Sequence, residues 1–297
     1  MISIIIVSNN QVLFSSVELS ISRTVGVRYE IIHIDNVESK FSIFEAYNFG
    51  ANRSKFDILL FLHEDVIFHS MKWGGILLNY FSTLSNPGIL GLAGSSYLPI
   101  CPSDWWVSDS NFLHYNFYSN SRNGKVGKGT IETKGSQSPQ KVFALDGMFL
   151  AMKKSVWKEF PFDETLSGFH GYDTDICYQI SQKFQNYFVP NILLEHLSEG
   201  NPNSIWLKNT IIANSKIIPF ILGKKREDVI ITSIENKTFH LFLGQLSKFS
   251  DDNIYNIVQA FRYFKLINKF TFSFKLSLVF LKYIFYFIFK SISSVFP

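Results

Sequence analysis

Three short constellations in this 297-residue chain carry residue types that can do chemistry. His63-Glu64-Asp65 closes the apolar run 57–62, which sets carboxylates at the end of a strand. Hard cations such as Mg²⁺ or Mn²⁺ take carboxylate oxygens together with substrate phosphates. One Asp there can hold a metal under a diphosphate, and the same position also suits a solvated strand end. In Phe169-His170-Gly171-Tyr172-Asp173-Thr174-Asp175, the two aspartates open a helix. Unpaired backbone N–H groups at a helix start favour the ionised carboxylate, which can then accept a proton from a bound hydroxyl. A plain N-cap role accounts for the same residues. His196, after Leu193-Leu194-Glu195, offers an imidazole suited to a borderline ion such as Mn²⁺. In Asp146-Gly147 the glycine permits close approach of a ligand to a strand backbone. Trp105-Trp106 can stack a sugar or fill a core.

These groups need elements to position them. Ile2–Val7, Glu30–Ile34, Asp57–Leu62 and Ile89–Leu92 read as strands buried on both faces, the pattern of a parallel sheet. Ser42-Ile43-Phe44-Glu45 is a capping-box signature opening a helix to about Arg53, so a βαβ unit and an α/β class are expected. Ligands in such sheets sit at the carboxyl ends of the strands. Ser8–Asn10, Asp35-Asn36 and His63–Asp65 each follow an apolar run, so the three clusters are expected to form one site. The Gly/Ser/Lys/Asn-rich stretch 120–141 reads as a mobile loop or loose hairpin. Val142–Met152 reads as a strand interrupted at Asp146-Gly147, followed by a helix from about Asp173 to Phe184 and a strand at Tyr187–Val189.

Composition narrows the class. Hydrophobic residues make up 46% and charged residues 18%, enough to bury a core and against global disorder. Two cysteines give neither a disulfide framework nor a zinc-type spacing. Met1–Val7 lacks the basic flank of a secretory signal and reads as a strand, so a cytoplasmic body is expected. Net charge is +4, but no acidic residue follows Asp252, whereas Arg262, Lys265, Lys269, Lys275, Lys282 and Lys290 do. A near-neutral body with a basic aromatic tail is not the footprint of a nucleic-acid binder. No uncharged stretch of the tail approaches the roughly 20 residues of a spanning helix. Treated as one helix, the tail puts its six cations within an arc of roughly 160°, opposite Leu281, Phe285 and Ile288. That pattern suits a helix lying on an anionic membrane surface, and a helix packed on the body remains the alternative.

Taken in order, the motifs resemble family-2-type glycosyltransferases of the GT-A fold. Ile4–Asn10, Ile34-Asp35-Asn36, Ala46–Gly50 and Phe61–Asp65 carry the resemblance, with Asp146–Leu150, Pro161–Glu164, Gly168–Cys177 and His196. The later run is similar to the branch containing the streptomycin-biosynthesis StrF-type domain. The resemblance covers about residues 1–200. It implies a mostly parallel sheet flanked by helices in a domain spanning 1–225, with 226–297 as a helical extension. It implies further that Ser8, Asn10, Asp35, Asn48 and Glu64 line the nucleotide-sugar, and that Asp65 and His196 hold a divalent cation, Mn²⁺ or Mg²⁺. Asp173 is then the general base, with Asp146, Gly147, Tyr172 and Asp175 in the donor and acceptor pocket.

The implied activity is an inverting sugar transfer from a nucleoside-diphosphate sugar to a glycan or lipid-linked acceptor. Polysaccharide synthesis on the cytoplasmic face of a membrane is the expected setting. Two positions depart from the family pattern: His63 replaces the first Asp of Asp-x-Asp, and Tyr172 replaces an acid before Asp173. The first keeps a non-catalytic sugar-binding scaffold as a rival. A nucleotidyltransferase is disfavoured because Ser8-Asn9-Asn10-Gln11 has no glycine or basic residue to cradle phosphates.

Overall fold

A computed structural model describes residues 1–103, 105–106, 109–119, 130–134, 137–197, 202–227 and 232–295. Most of the 120–141 stretch, together with Ser198 and Gly200, thus lies outside the described residues. The chain begins β1 (Ile2–Ser8), α1 (Gln11–Thr24), β2 (Tyr29–Asp35), α2 (Ile43–Arg53), β3 (Ile58–Leu62) and β4 (Val66–Phe68). It continues through α3 (Trp73–Thr83), β5 (Pro87–Gly91), β6 (Ala93–Ser95), β7 (Leu113–Ser119), β8 (Thr130–Lys134), β9 (Gln140–Val142), β10 (Ala144–Leu145) and β11 (Phe149–Lys153). Then follow α4 (Lys154–Glu159), α5 (Tyr172–Ser181), β12 (Gln185–Phe188) and β13 (Leu194–His196). The chain ends in α6 (Ser204–Glu227), α7 (Thr232–Phe249), α8 (Asn253–Asn268) and α9 (Phe274–Val295).

Among the described residues, the main sheet runs β2-β1-β3-β11-β5-β12-β9. β1 pairs in parallel with β2 and β3, while β11 lies antiparallel between β3 and β5. Successive side chains on a strand face opposite sides, and the two cores divide accordingly. Ile2, Ile4 and Ile6 of β1 join Leu60 and Leu62 of β3 in one cluster with Phe14, Val17 and Trp73 from α1 and α3. Ile5, Leu59 and Phe61 face the other way, onto Phe44 and Tyr47 of α2 and Ile176 of α5. Helices on both faces of a mostly parallel sheet make the expected α/β class. At Gly50 an added Cβ would sit 2.4 Å from Ile5 Cγ2, so only glycine lets α2 lie this close to β1.

The capping box forms as read: Ser42 Oγ accepts from Glu45 N, and Glu45 accepts from Ser42 N at 2.8 Å. Other expectations change. β2 is the edge strand and is half exposed along most of its length, not buried on both faces. The run 142–152 divides among β9, β10 and β11: Asp146–Met148 separates β10 from β11 as expected, and a further break at Phe143 separates β9 from β10. β10 leaves the main sheet for a second one, ordered β10-β6-β7-β13-β4, with β8 on β7.

The C-terminal region is not one helix. The chain turns between α8 and α9, so a single helical wheel does not apply to it. Leu276, Phe280 and Phe287 are buried in the core that also holds β1 and β3. Phe280 stacks on Phe264 of α8 at 4.2 Å. Another buried link comes from α7, where Glu235 accepts from Tyr97 Oη at 2.7 Å and from Ile100 N at 3.1 Å.

Candidate active site at the carboxyl edge of the sheet

The parallel registers Ser8↔Asp35 and Ile6↔Leu62 bring the ends of β1, β2 and β3 to one edge. The three polar clusters therefore meet, as the order of strands required. Glu64 closes the β1–α1 turn: its carboxylate accepts from Ser8 Oγ and, at 3.1 Å, from Asn10 N. Asn10 is the N-cap of α1, its Oδ1 accepting from Val12 N at 3.0 Å and Leu13 N at 3.2 Å. Asp35 is exposed at the same edge, with Oδ1 accepting from Val37 N at 3.1 Å. Ser8, Asn10 and Glu64 thus form a fixed floor, with Asp35 beside it.

Next to that floor lies a cluster of three metal-ligating side chains. β13 pairs antiparallel with β4 so that His196 faces Val66, and Leu197 N donates to Asp65 O at 2.9 Å. This pairing carries His196 to Asp65, far apart along the chain, by backbone register. His196 Nε2 lies 3.4 Å from Asp65 Oδ1, and His63 Nδ1 lies 3.7 Å from the same oxygen and 3.3 Å from His196 Nε2. One ligand atom from each of His63, Asp65 and His196 falls within 4.8 Å of the others. Two imidazoles and a carboxylate suit a borderline divalent ion such as Mn²⁺. His63 therefore brings a ligand where the family pattern has its first Asp.

The second departure touches the first. Tyr172 Oη is hydrogen-bonded to His63 Nε2, at the ring nitrogen opposite the cluster. A metal-binding imidazole commonly has its other nitrogen fixed by an oxygen partner, which sets tautomer and ring orientation. With Nδ1 kept as the lone pair, Nε2–H donates to the Tyr172 oxygen. Burial, aided by Tyr47, Asp173 and Asp146, pushes the Tyr172 phenol well above its ordinary value, so it stays neutral. Tyr47 borders it, ring centroids 5.5 Å apart, and burial raises its phenol too. Gly147 makes room: an added Cβ there would stand 2.0 Å from Tyr172 Oη.

Electrostatics separate the two histidines. Burial, reinforced by the charge of His196, lowers the pKa of His63 despite Asp65 and Asp146. Burial also opposes charge on His196, but the hydrogen bond and charge of Asp65, with Asp146 beyond, outweigh it and raise that pKa. Asp146 is held by Trp105 Nε1 at 2.8 Å on Oδ2 and by Met148 N at 2.8 Å on Oδ1. Trp105 is buried, whereas Trp106 is about half exposed and packs edge-on against it. The pair is thus divided between a core ring that holds Asp146 and a surface ring stacked on Tyr115.

Asp173 lies in the first turn of α5, half buried, with Oδ1 accepting from Thr174 N at 2.8 Å. Its charge reaches Tyr47 and Tyr172. Two other expected residues are engaged elsewhere. Asp175 is buried against Lys216 of α6 at 2.7 Å, and Lys216 also holds Asp163. Asn48 donates to Phe162 O at 2.8 Å and Glu164 Oε1 at 2.8 Å, and accepts from Trp157 Nε1 and Phe162 N. It fixes the 157–164 segment beside a shallow groove of about 660 Å³, which none of the rim residues lines. Tyr47 and Lys216 were not singled out from the sequence. Tyr47 lies inside the Ala46–Gly50 motif, but nothing local marks which of its residues faces the site.

Residues 3–206 match the profile of a family described as glycosyltransferase-like. No curated protein matches the chain. Among solved structures, the crystal structure of GalNAc-T7 with UDP, GalNAc and Mn²⁺ superposes with a TM-score of 0.48 at 15% identity. That superposition covers 77% of this chain and 50% of the other, so the chain spans half the length of that relative.

Proposed function

The chain belongs to the glycosyltransferase-like family over residues 3–206, and from that premise we propose that it transfers a sugar from a nucleoside-diphosphate sugar to an acceptor hydroxyl with inversion. The observation that carries the reading is the convergence of His63, Asp65 and His196 with Tyr172 and Asp173 on one edge of the sheet. The nucleotide lies against the floor of Ser8, Asn10 and Glu64, with Asp35 at its base or ribose. His63, Asp65 and His196 hold a divalent cation, which when bound neutralises charge on the departing diphosphate.

Asp173 acts as general base. Its carboxylate takes the acceptor hydroxyl proton as the oxygen attacks the anomeric carbon from the face opposite the diphosphate. The carbon–oxygen bond to the diphosphate breaks, and its electron pair leaves with the nucleotide. Such general-base assistance is worth about 10²–10⁴-fold. Tyr172 is a positioning residue, holding the His63 ring at Nε2. Asp146, with Gly147 beside Tyr172 and the exposed Trp106 ring, borders the sugar side.

The acceptor is a glycan or lipid-linked sugar in cell-surface polysaccharide synthesis, presented at the cytoplasmic face of a membrane. The StrF-type branch reading rests on the later run of Asp146–Leu150, Pro161–Glu164, Gly168–Cys177 and His196. A thermal-shift screen of UDP, GDP, dTDP and CMP and their sugar conjugates, with and without Mn²⁺, tests the donor site. At ligand 100 times its dissociation constant, binding adds roughly 2.7 kcal/mol. Stabilisation by one nucleotide class, enhanced by Mn²⁺, is expected. No response to any nucleotide overturns the transferase reading.

A further inference from the structure

The packing of α9 leaves one of its faces open from Phe274 to Ile292. Phe274, Leu278, Leu281, Phe285, Phe289 and Ile292 are all exposed, Phe285 by 63% and Phe289 by 71%. At 100° per residue these six fall within an arc of about 80°, and from first to last they run about 27 Å. The buried stripe of Leu276, Phe280 and Phe287 lies on another face, so the core does not account for the open one. Lys275 and Lys282 follow immediately along one border of the open arc, and both are exposed.

α8 repeats the arrangement. Ile254, Val258 and Phe261 are exposed, and Arg262, Lys265 and Lys269 continue the same face within an arc of about 100°. The Phe261 ring packs edge-on against Phe280, on the buried stripe of α9, centroids 4.8 Å apart, so α8 sits against the side of α9 away from its open arc. An unbroken apolar stripe of six side chains along one helix is more than scattered surface residues require and marks an interaction site.

Charge identifies what covers it. No acidic residue occurs after Asp252, so every formal charge on α8 and α9 is positive. At the rim Lys290 meets Asp251 at 3.7 Å. A second copy of this face would bring cations against cations, whereas an anionic bilayer accepts apolar side chains below and lysines at its headgroups. No described helix is long and apolar enough to cross a membrane.

We infer that the open face of α9 is a docking surface for an anionic lipid bilayer, lying in the plane of the interface, with Phe285 and Phe289 inserted and Lys275 and Lys282 at the headgroups. The inference deepens the membrane-bound acceptor reading by naming the surface that holds the enzyme there.

The test is sedimentation of the full chain with vesicles of phosphatidylcholine alone or with about one-third phosphatidylglycerol. Wild type should bind the anionic vesicles and be released by salt. Phe285→Asp with Phe289→Asp should abolish binding, and Lys275→Gln with Lys282→Gln should weaken it about fivefold per charge. Failure of wild type to bind anionic vesicles overturns the inference, as does binding that both variant pairs leave unchanged. Self-association abolished by Phe285→Asp without vesicle binding likewise overturns it, in favour of a second copy. Should the aspartate pair misfold, the glutamine pair and the salt dependence of wild type decide. The nucleotide thermal shift in the same preparation separates the two readings: it reports the donor site whether or not vesicles are bound.

Discussion

The carboxyl edge of the sheet and the open face of α9 are built on opposite terms. At the edge, polar groups hold one another: Glu64 holds the turn carrying Ser8 and Asn10, Tyr172 holds His63, and Trp105 and Met148 N hold Asp146. On α9 six apolar side chains face solvent in a stripe from Phe274 to Ile292. A site that stabilises developing charge works best when its dipoles are already oriented. A surface that meets a bilayer needs only apolar area and a positive rim. Substitutions should therefore act differently in the two regions, locally and severely at the edge, and without effect on stability at the face.

The largest effect is expected at the metal-ligating cluster. Asp65→Ala or His196→Ala should lower Mn²⁺ affinity more than about 100-fold, beyond what loss of an outer partner costs. Calorimetric titration of Mn²⁺ checks this, and a variant that binds as wild type breaks the assignment. Tyr172→Phe should fall within the 10–100-fold range of an outer-shell partner.

Lys216→Met should destabilise by about 2 kcal/mol at neutral pH, less than for a fully buried pair because Lys216 is about one-quarter exposed. Burial raises the Asp175 pKa against the pull of Lys216, whereas Lys216 and Thr165 overcome burial to lower that of Asp163. Asp163 thus contributes stability above its unfolded value of 3.8, which is lost as pH falls below it. Without Lys216, Asp175 is charged and uncompensated at neutral pH and is relieved by protonation in acid. Denaturant melts should accordingly show a smaller Lys216→Met penalty near pH 4 than at pH 7; an equal penalty contradicts the pairing.

Gly147→Ala should cost about 1–3 kcal/mol, since its Cβ overlaps the Tyr172 hydroxyl in a packed environment. The same variant should weaken Mn²⁺ binding by displacing the partner of His63, a consequence that overpacking elsewhere would not have. The smallest effect sharpens the contrast. Phe285→Asp, on the open face, should leave the melting free energy within about 0.5 kcal/mol of wild type. A larger loss would mean that the face is part of the core.

The sequence made β1, β3 and the α2 cap readable, because buried parallel strands appear as continuous apolar runs and capping boxes are local. The convergence of Ser8, Asp35 and His63–Asp65 followed from strand order. α1 was missed although it starts at Asn10. Its Gln11–Thr24 sequence buries only Phe14, Val17, Ile21 and Thr24, and Asn10, expected to line the nucleotide-sugar, also serves as its N-cap. The Asp65–His196 approach depends on the antiparallel β4–β13 pairing, which no local pattern encodes. Asp175 and Asn48 carried no local mark of their partners either, since Lys216 and the 157–164 segment are far along the chain. The division of the tail into α8 and α9 is marked by a local cap, Ser273 Oγ accepting from Leu276 N at 3.3 Å, which the charge spacing does not reveal.

The central claim is that Asp173 activates the acceptor at a site the rest of the edge has already organised. The direct test is turnover of wild type and Asp173→Asn with the donor identified by thermal shift, alongside nucleotide binding. At least about 100-fold loss of turnover with unchanged nucleotide affinity is predicted. Near-full turnover in Asp173→Asn would contradict the claim.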